Sequence, residues 1–180
     1  MATTTLMSFA DFERLDAGAD HIELLKGELI RLPPAKLRHN EVAERLYRML
    51  IAAIERLRAE QPGIAIGQVH HEMGYCLGRN PGTWLQPDVS VTHPGQASDD
   101  YYCGAPLLVF EIVSASDTAA ALDEKVSEYL AHGAGEVWLI YPNQRHAWVY
   151  APSAAAARHE TRSIQSDLLP GINISFDQIF

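Results

Sequence analysis

The chain has no uninterrupted apolar stretch near the roughly 18 residues that a bilayer-crossing helix needs, so no membrane span is expected. Its opening, Met1-Ala2-Thr3-Thr4-Thr5-Leu6, lacks a basic region and a long apolar core, so no secretory leader is expected. Cysteine is scarce. Cys76 and Cys103 are too few for a disulfide scaffold and are not spaced as a zinc pair. A cytoplasmic protein with reduced thiols is the default expectation. Positive charge is also short: 14 Lys and Arg face 23 Asp and Glu, for a formal charge of -9. That balance argues against a general-purpose nucleic-acid coat, whose binding depends on neutralising phosphates.

What is present fits a soluble globular domain. Hydrophobic residues make up 47% and charged residues 21% of 180 positions, which excludes a disordered or collagen-like chain and leaves apolar side chains for one core. At about 150 residues per domain, a single domain over 1–180 is expected. The charge is uneven. Residues 26 to 58 hold eight of the 14 basic residues and only four acids, so a polyanion can dock there while the acidic remainder points away.

Periodicity divides the chain into elements. Ser8 stands as an N-cap before Phe9, Phe12 and Leu15, which predicts a short helix in the first 20 residues. Ile22 to Leu25 and Glu28 to Leu32 form a hairpin turned at Lys26-Gly27. A long helix follows from about Arg38 to Glu60, with apolar residues at helical spacing from Val42 to Leu57. Strands are expected at Ile64 to His70, Met73 to Leu77, Pro87 to Thr92 and Leu107 to Val113. Leu107 to Phe110 is apolar on both faces, as a strand covered on both sides should be. A helix over Thr118 to His132 ends at Gly133, and strands follow at Glu136 to Tyr141 and His146 to Tyr150. Ala151 to Ala157 reads as a loop, and Ile174 to Phe180 as an apolar terminal turn. The order predicts an α/β architecture of the α+β kind, a mixed sheet flanked by helices.

Three residues break the local pattern. Glu111 lies within the apolar strand and shares a face with Val109 and Val113. A buried carboxylate is costly unless it is paired or binds a cation; pairing with Arg or Lys at the strand end is the structural alternative. Asp88 follows Pro87 at a strand start, where a plain turn residue is also common. Two carboxylates at neighbouring strand ends make an oxygen site suited to Mg²⁺. Lys125 borders the inward face of its helix, made by Leu122, Val126, Tyr129 and Gly133, so it can reach the sheet or pair on the surface. His70, His71, His93, His132, His146 and His159 show no ligand spacing.

Pro87-Asp88, then Glu111-Ile112-Val113, then Lys125 resembles the pattern of the PD-(D/E)XK nuclease superfamily. More closely, the chain resembles the Uma-two family of restriction-endonuclease-like proteins. The resemblance is carried by residues 21–30, 34–39, Gln86 to Val89, Val109 to Ser114, Asp123 to Tyr129, Gly133 to Ile140 and Leu169-Pro170-Gly171. It implies a restriction-endonuclease-like fold. It also implies Asp88 and Glu111 as metal ligands, with the Ile112 carbonyl as a third. Val113 stands where the parent motif has lysine; the family supplies that lysine from the following helix, here Lys125. Ser114-Ala115-Ser116 and Tyr141-Pro142 depart from the family's loops and bear on substrate choice.

His39 lies in the first turn of the long helix, on its apolar stripe, where a buried structural histidine is the bland alternative; the resemblance adds a role near the scissile phosphate. Glu28 shares a face with Ile30 and Leu32, which points it inward to the metal shell or to Lys125. Arg38, Arg45 and Arg56 fall on one line of the long helix, either as solvated surface or as a phosphate-contacting ridge. The expected protein is a Mg²⁺- or Mn²⁺-dependent endonuclease acting on DNA, as a homodimer because duplex cutting favours two related sites. The rivals are a nuclease fold that binds nucleic acid or a partner protein without cutting, and a two-carboxylate glycosidase that needs no metal.

Overall fold

Ser8 caps the first helix: its side chain accepts the Asp11 N–H, and α1 runs over Phe9–Glu13. In this computed structural model residues 6–15, 21–152 and 154–180 are described; the rest of the helix expected within the first 20 residues lies partly outside them. The next elements are β1 (Ile22–Leu25) and β2 (Glu28–Arg31), an antiparallel hairpin. Lys26 and Gly27, both at positive φ, make the tight turn between them. α2 (Leu37–Glu60) buries Val42, Ala43, Leu46, Leu50, Ile54 and Leu57 on one side, the stripe read from the sequence.

Seven short strands and a helix follow: β3 (Val69–His71), β4 (Tyr75–Arg79), β5 (Gly82–Leu85), β6 (Val89–Val91), β7 (Tyr102–Cys103), β8 (Leu108–Ile112), α3 (Ala119–Ala131) and β9 (Glu136–Tyr141). The chain closes with β10 (His146–Tyr150), β11 (Arg158–Glu160), β12 (Ser163–Gln165), β13 (Asn173–Ser175) and α4 (Phe176–Ile179). Of the expected strand over Ile64 to His70, only the end pairs. Gly67 is pressed against Thr92, where a Cβ would meet the Thr92 carbonyl oxygen, and Gln68 donates to Thr92 Oγ1 at 2.8 Å. The segment before it serves as a packed approach, with Ile66 in the core.

The strands divide between two mixed sheets and a two-stranded ribbon, β12-β13. The five-stranded sheet has the order β2-β1-β5-β4-β7, and the six-stranded sheet has the order β11-β10-β9-β8-β6-β3. β8 and β9 are parallel, as are β4 and β7; the other pairings are antiparallel. One core lies between the six-stranded sheet and α2 with α4. A second lies where α3 and the five-stranded sheet cover the opposite face, with Leu25, Tyr75, Leu85, Val109, Tyr129 and Leu139 inside. β8 is therefore buried at all five positions, and any acid it carries must find its partners inside the protein.

Candidate active site

Asp88 sits where β6 begins. Pro87 has no N–H to continue the ladder toward β8, and at this point the Ile112 N–H of β8 turns to the Asp88 side chain. Its Oδ2 accepts the Ile112 N–H at 2.6 Å, while its carbonyl accepts the Glu72 N–H at 3.1 Å on the β3 side. His39, from the first turn of α2, places Nε2 3.3 Å from the same Oδ2. Burial works against a charged His39 ring, yet the hydrogen bond and charge of Asp88 outweigh it and hold the pKa above the ordinary value.

Glu111 leaves the covered face of β8 and is 8% exposed. Tyr129, buried on α3, donates its hydroxyl to Glu111 Oε1 at 2.9 Å. Lys125, one turn earlier on the same helix, places Nζ 3.7 Å from that oxygen. Burial pushes the Glu111 carboxyl up to about 8. Lys125 pulls it down, Asp88 and Glu23 push it further up, and the Tyr129 hydrogen bond pulls it down. Tyr129 itself is held far above the usual phenol range, first by burial and then by Glu111, so it remains a donor.

Lys125 is anchored by a residue the sequence reading did not single out. Glu23 of β1 is fully buried. It accepts hydrogen bonds from Lys125 Nζ at 3.0 Å and from the Gln86 N–H at 3.0 Å, both at Oε1. Nζ also stands 2.8 Å from Oε2, a charge contact outside hydrogen-bond angles. Burial works against the ammonium, but Glu111 and Glu23 outweigh it and keep the Lys125 pKa above the ordinary lysine value. The signal for Glu23 was the one that marked Glu111, an acid in an apolar run. It is weak in a four-residue strand whose covering partner comes from another part of the chain.

Part of this set lines one cleft of about 200 Å³, which Glu23 and Tyr129 do not reach. Asp88, Glu111, Ile112, Lys125 and His39 all face it, with Leu32 to Lys36 along one rim and Ser114, Ser116 and Asp117 along the other. Glu28 does not join them, which corrects its expected inward placement. Its register opposite Leu25 puts it on the same face as Glu23, but β2 is an edge strand and Glu28 is exposed. Arg38, Arg45 and Arg56 are exposed along α2. Arg45 faces Glu41 at 4.0 Å. Arg56 lies eighteen residues beyond Arg38, about 27 Å at 1.5 Å per residue, and none of the three arginines lines the cleft, to which α2 contributes His39.

Among the described residues no three His, Cys, Asp or Glu side chains are grouped to hold a metal ion. The available donors are the Asp88 and Glu111 carboxylates and the Ile112 backbone. Val113 donates its N–H to Ile140 on β9, whereas Ile112 donates toward Asp88. A strand residue directs its N–H and C=O to the same side, so the Ile112 carbonyl also faces the Asp88 side. Two carboxylates and a carbonyl are hard oxygen donors, the kind Mg²⁺ accepts alongside retained waters. The residues present fit such an ion with water completing its shell.

A pH dependence follows from Glu111. Its folded-state pKa of about 8 lies above the ordinary 4.5, so between these values the folded protein keeps a proton the unfolded chain has lost. This contribution is fully present below the lower value and is lost as pH rises toward the upper one. In EDTA, urea unfolding should show stability falling from about pH 5 to about pH 8, with a slope that Glu111→Gln flattens. An identical slope in both proteins would contradict the assignment of a buried proton to Glu111.

Mixed sheets flanked by helices, with acids delivered from neighbouring strands to one cleft, define the restriction-endonuclease-like class. The chain belongs to the Uma2 family, described as "Putative restriction endonuclease", whose model matches residues 9–177. Its fold is similar to the crystal structure of a putative nuclease belonging to DUF820 from Anabaena variabilis. That similarity has a TM-score of 0.80 at 18% identity and covers 97% of each chain. The comparison with curated proteins finds no match. Among the described residues no helix is long and apolar enough to cross a membrane.

Proposed function

We propose that this chain is a metal-dependent endonuclease that hydrolyses phosphodiester bonds in DNA. The observation that carries the reading is the meeting of Asp88, Glu111 and Lys125 in one cleft, delivered by three separate elements. Asp88, Glu111 and the Ile112 carbonyl would hold Mg²⁺ or Mn²⁺, which when bound supplies Lewis acidity and a more acidic water. Lys125 contributes an ammonium kept charged by Glu23 and Glu111. That suits it to orient the attacking water and to offset charge developing on the phosphate, more than to act as a base. Tyr129 fixes the rotamer of Glu111. His39 and the Ile112 N–H fix that of Asp88. Lys36 at the rim and Arg38 beside His39 supply positive charge where a phosphate backbone would enter. A second copy of the chain would serve the other strand of a duplex.

A cleavage assay over plasmid, linear, branched and single-stranded DNA, with RNA alongside, tests the reading. Cleavage of DNA is expected with Mg²⁺ or Mn²⁺ and none with EDTA. Cleavage that persists in EDTA removes the metal from the proposal. Nucleic-acid binding without cleavage of any substrate favours a non-catalytic module.

A further inference from the structure

Cys76 and Cys103 lie 27 positions apart in the sequence and pair directly across β4 and β7. The strands are parallel, so partners in register point to the same face. The preceding pair shows this: Tyr75 and Tyr102 are partners, and their rings stack 5.5 Å apart on the side of the second core. Cys76 and Cys103 therefore both face the other way, toward α1. Neighbouring strands run about 4.8 Å apart, inside the Cα separation of about 4.4–6.8 Å that a disulfide spans. Both thiols are free.

The surroundings give the two sulfurs different jobs. Cys103 is exposed, on a two-residue edge strand. Cys76 is buried on the longer, central side of the pair. Arg79 lies over the Phe9 ring on this same face, and its charge acts on both cysteines. Burial raises the Cys76 pKa and the Arg79 charge only offsets it, so Cys76 is held as a thiol and the exposed Cys103 is the one an oxidant reaches first.

We infer that Cys76 and Cys103 form a reversible modification site that takes a low-molecular-weight disulfide such as oxidised glutathione. The Cys103 thiolate attacks one sulfur of the oxidant, the oxidant's S–S bond breaks, and one reduced glutathione leaves. Cys76, losing its proton to solvent, then attacks Cys103 in the mixed disulfide and expels the second glutathione. Two protein thiols are oxidised to one disulfide while one glutathione disulfide is reduced to two thiols. The bond closes a loop that contains β5, β6 and Asp88. It lies where the chain runs between β6 and β8, at the end of those strands away from Asp88 and Glu111. The inference therefore stands apart from the nuclease reading.

The full chain should be equilibrated in oxidised and reduced glutathione, quenched by alkylation, and analysed by non-reducing mass spectrometry and thermal unfolding. Oxidised protein is expected to lose two hydrogens per monomer, to yield a Cys76–Cys103 linked peptide, and to melt at a higher temperature; dithiothreitol should reverse all three. Cys76→Ala should instead stop at a glutathione adduct on Cys103, and Cys103→Ser should leave Cys76 reduced. A wild-type protein that accumulates the Cys103 adduct or intermolecular dimers, with Cys76 still alkylated, would overturn the inference.

Discussion

Lys125→Ala should lower single-turnover cleavage by about 10²–10³-fold, the usual loss when one preorganised charge partner of a transition state is removed. It should also lower stability by about 3–5 kcal/mol, because it strands a buried acid without its counter-charge. Glu23 is fully buried, and Lys125 is its cationic partner at 2.8 Å. One substitution thus mixes a catalytic and a structural loss. Lys125→Met combined with Glu23→Gln separates them, since both charges leave together and the volumes are nearly kept. Urea unfolding of the double variant should recover most of the lost stability, while cleavage stays as low as in the single variant. A double variant that cleaves normally would remove Lys125 from the reaction. One that stays as unstable as Lys125→Ala would show that the ion pair does not account for the structural loss.

Asp88→Asn should abolish both metal-dependent stabilisation and cleavage with little harm to the fold. The amide oxygen of Asn can still accept the Ile112 N–H, now held by the carboxylate at 2.6 Å, so the junction between β6 and β8 keeps its hydrogen bond. What disappears is the negative charge that a hard cation requires. In the wild-type protein, divalent metal at about 100 times its Kd should stabilise the folded state by about 2.7 kcal/mol. The variant should show almost none of that gain in a thermal-shift titration with Mg²⁺ or Mn²⁺. An unchanged metal response in Asp88→Asn would place the cation elsewhere and undo the donor set of Asp88, Glu111 and Ile112.

Periodicity and local chemistry were enough to locate the elements that carry the site. The limits of β9 and β10 and the end of α2 agree with the apolar pattern, because a helix or strand declares its buried face through residues two to four positions apart. Asp88, Glu111 and Lys125 were legible for the opposite reason: each breaks the pattern of its own element, and a charge kept against such a cost needs a partner or a task. The short strands were harder to read. β5 has four residues, one of them Gly82, set between Pro81 and Pro87. It exists because β1 and β4 flank it, and its own periodicity is too brief to announce it.

By itself, then, the sequence determined the α/β class, the principal helices and strands, and the two acids and the lysine that do not suit their surroundings. Only the tertiary structure decided between Glu23 and Glu28. Both stand on the same face of one hairpin, and the local pattern cannot rank them. β1 is an inner strand that meets α3, so Glu23 is buried against Lys125, 102 positions away. β2 is an edge strand, so Glu28 stays in water. Likewise, the register of β4 on β7 alone brought the two cysteines together. Burial and pairing depend on which distant segment covers a residue, and that is set by how the sheets and helices pack.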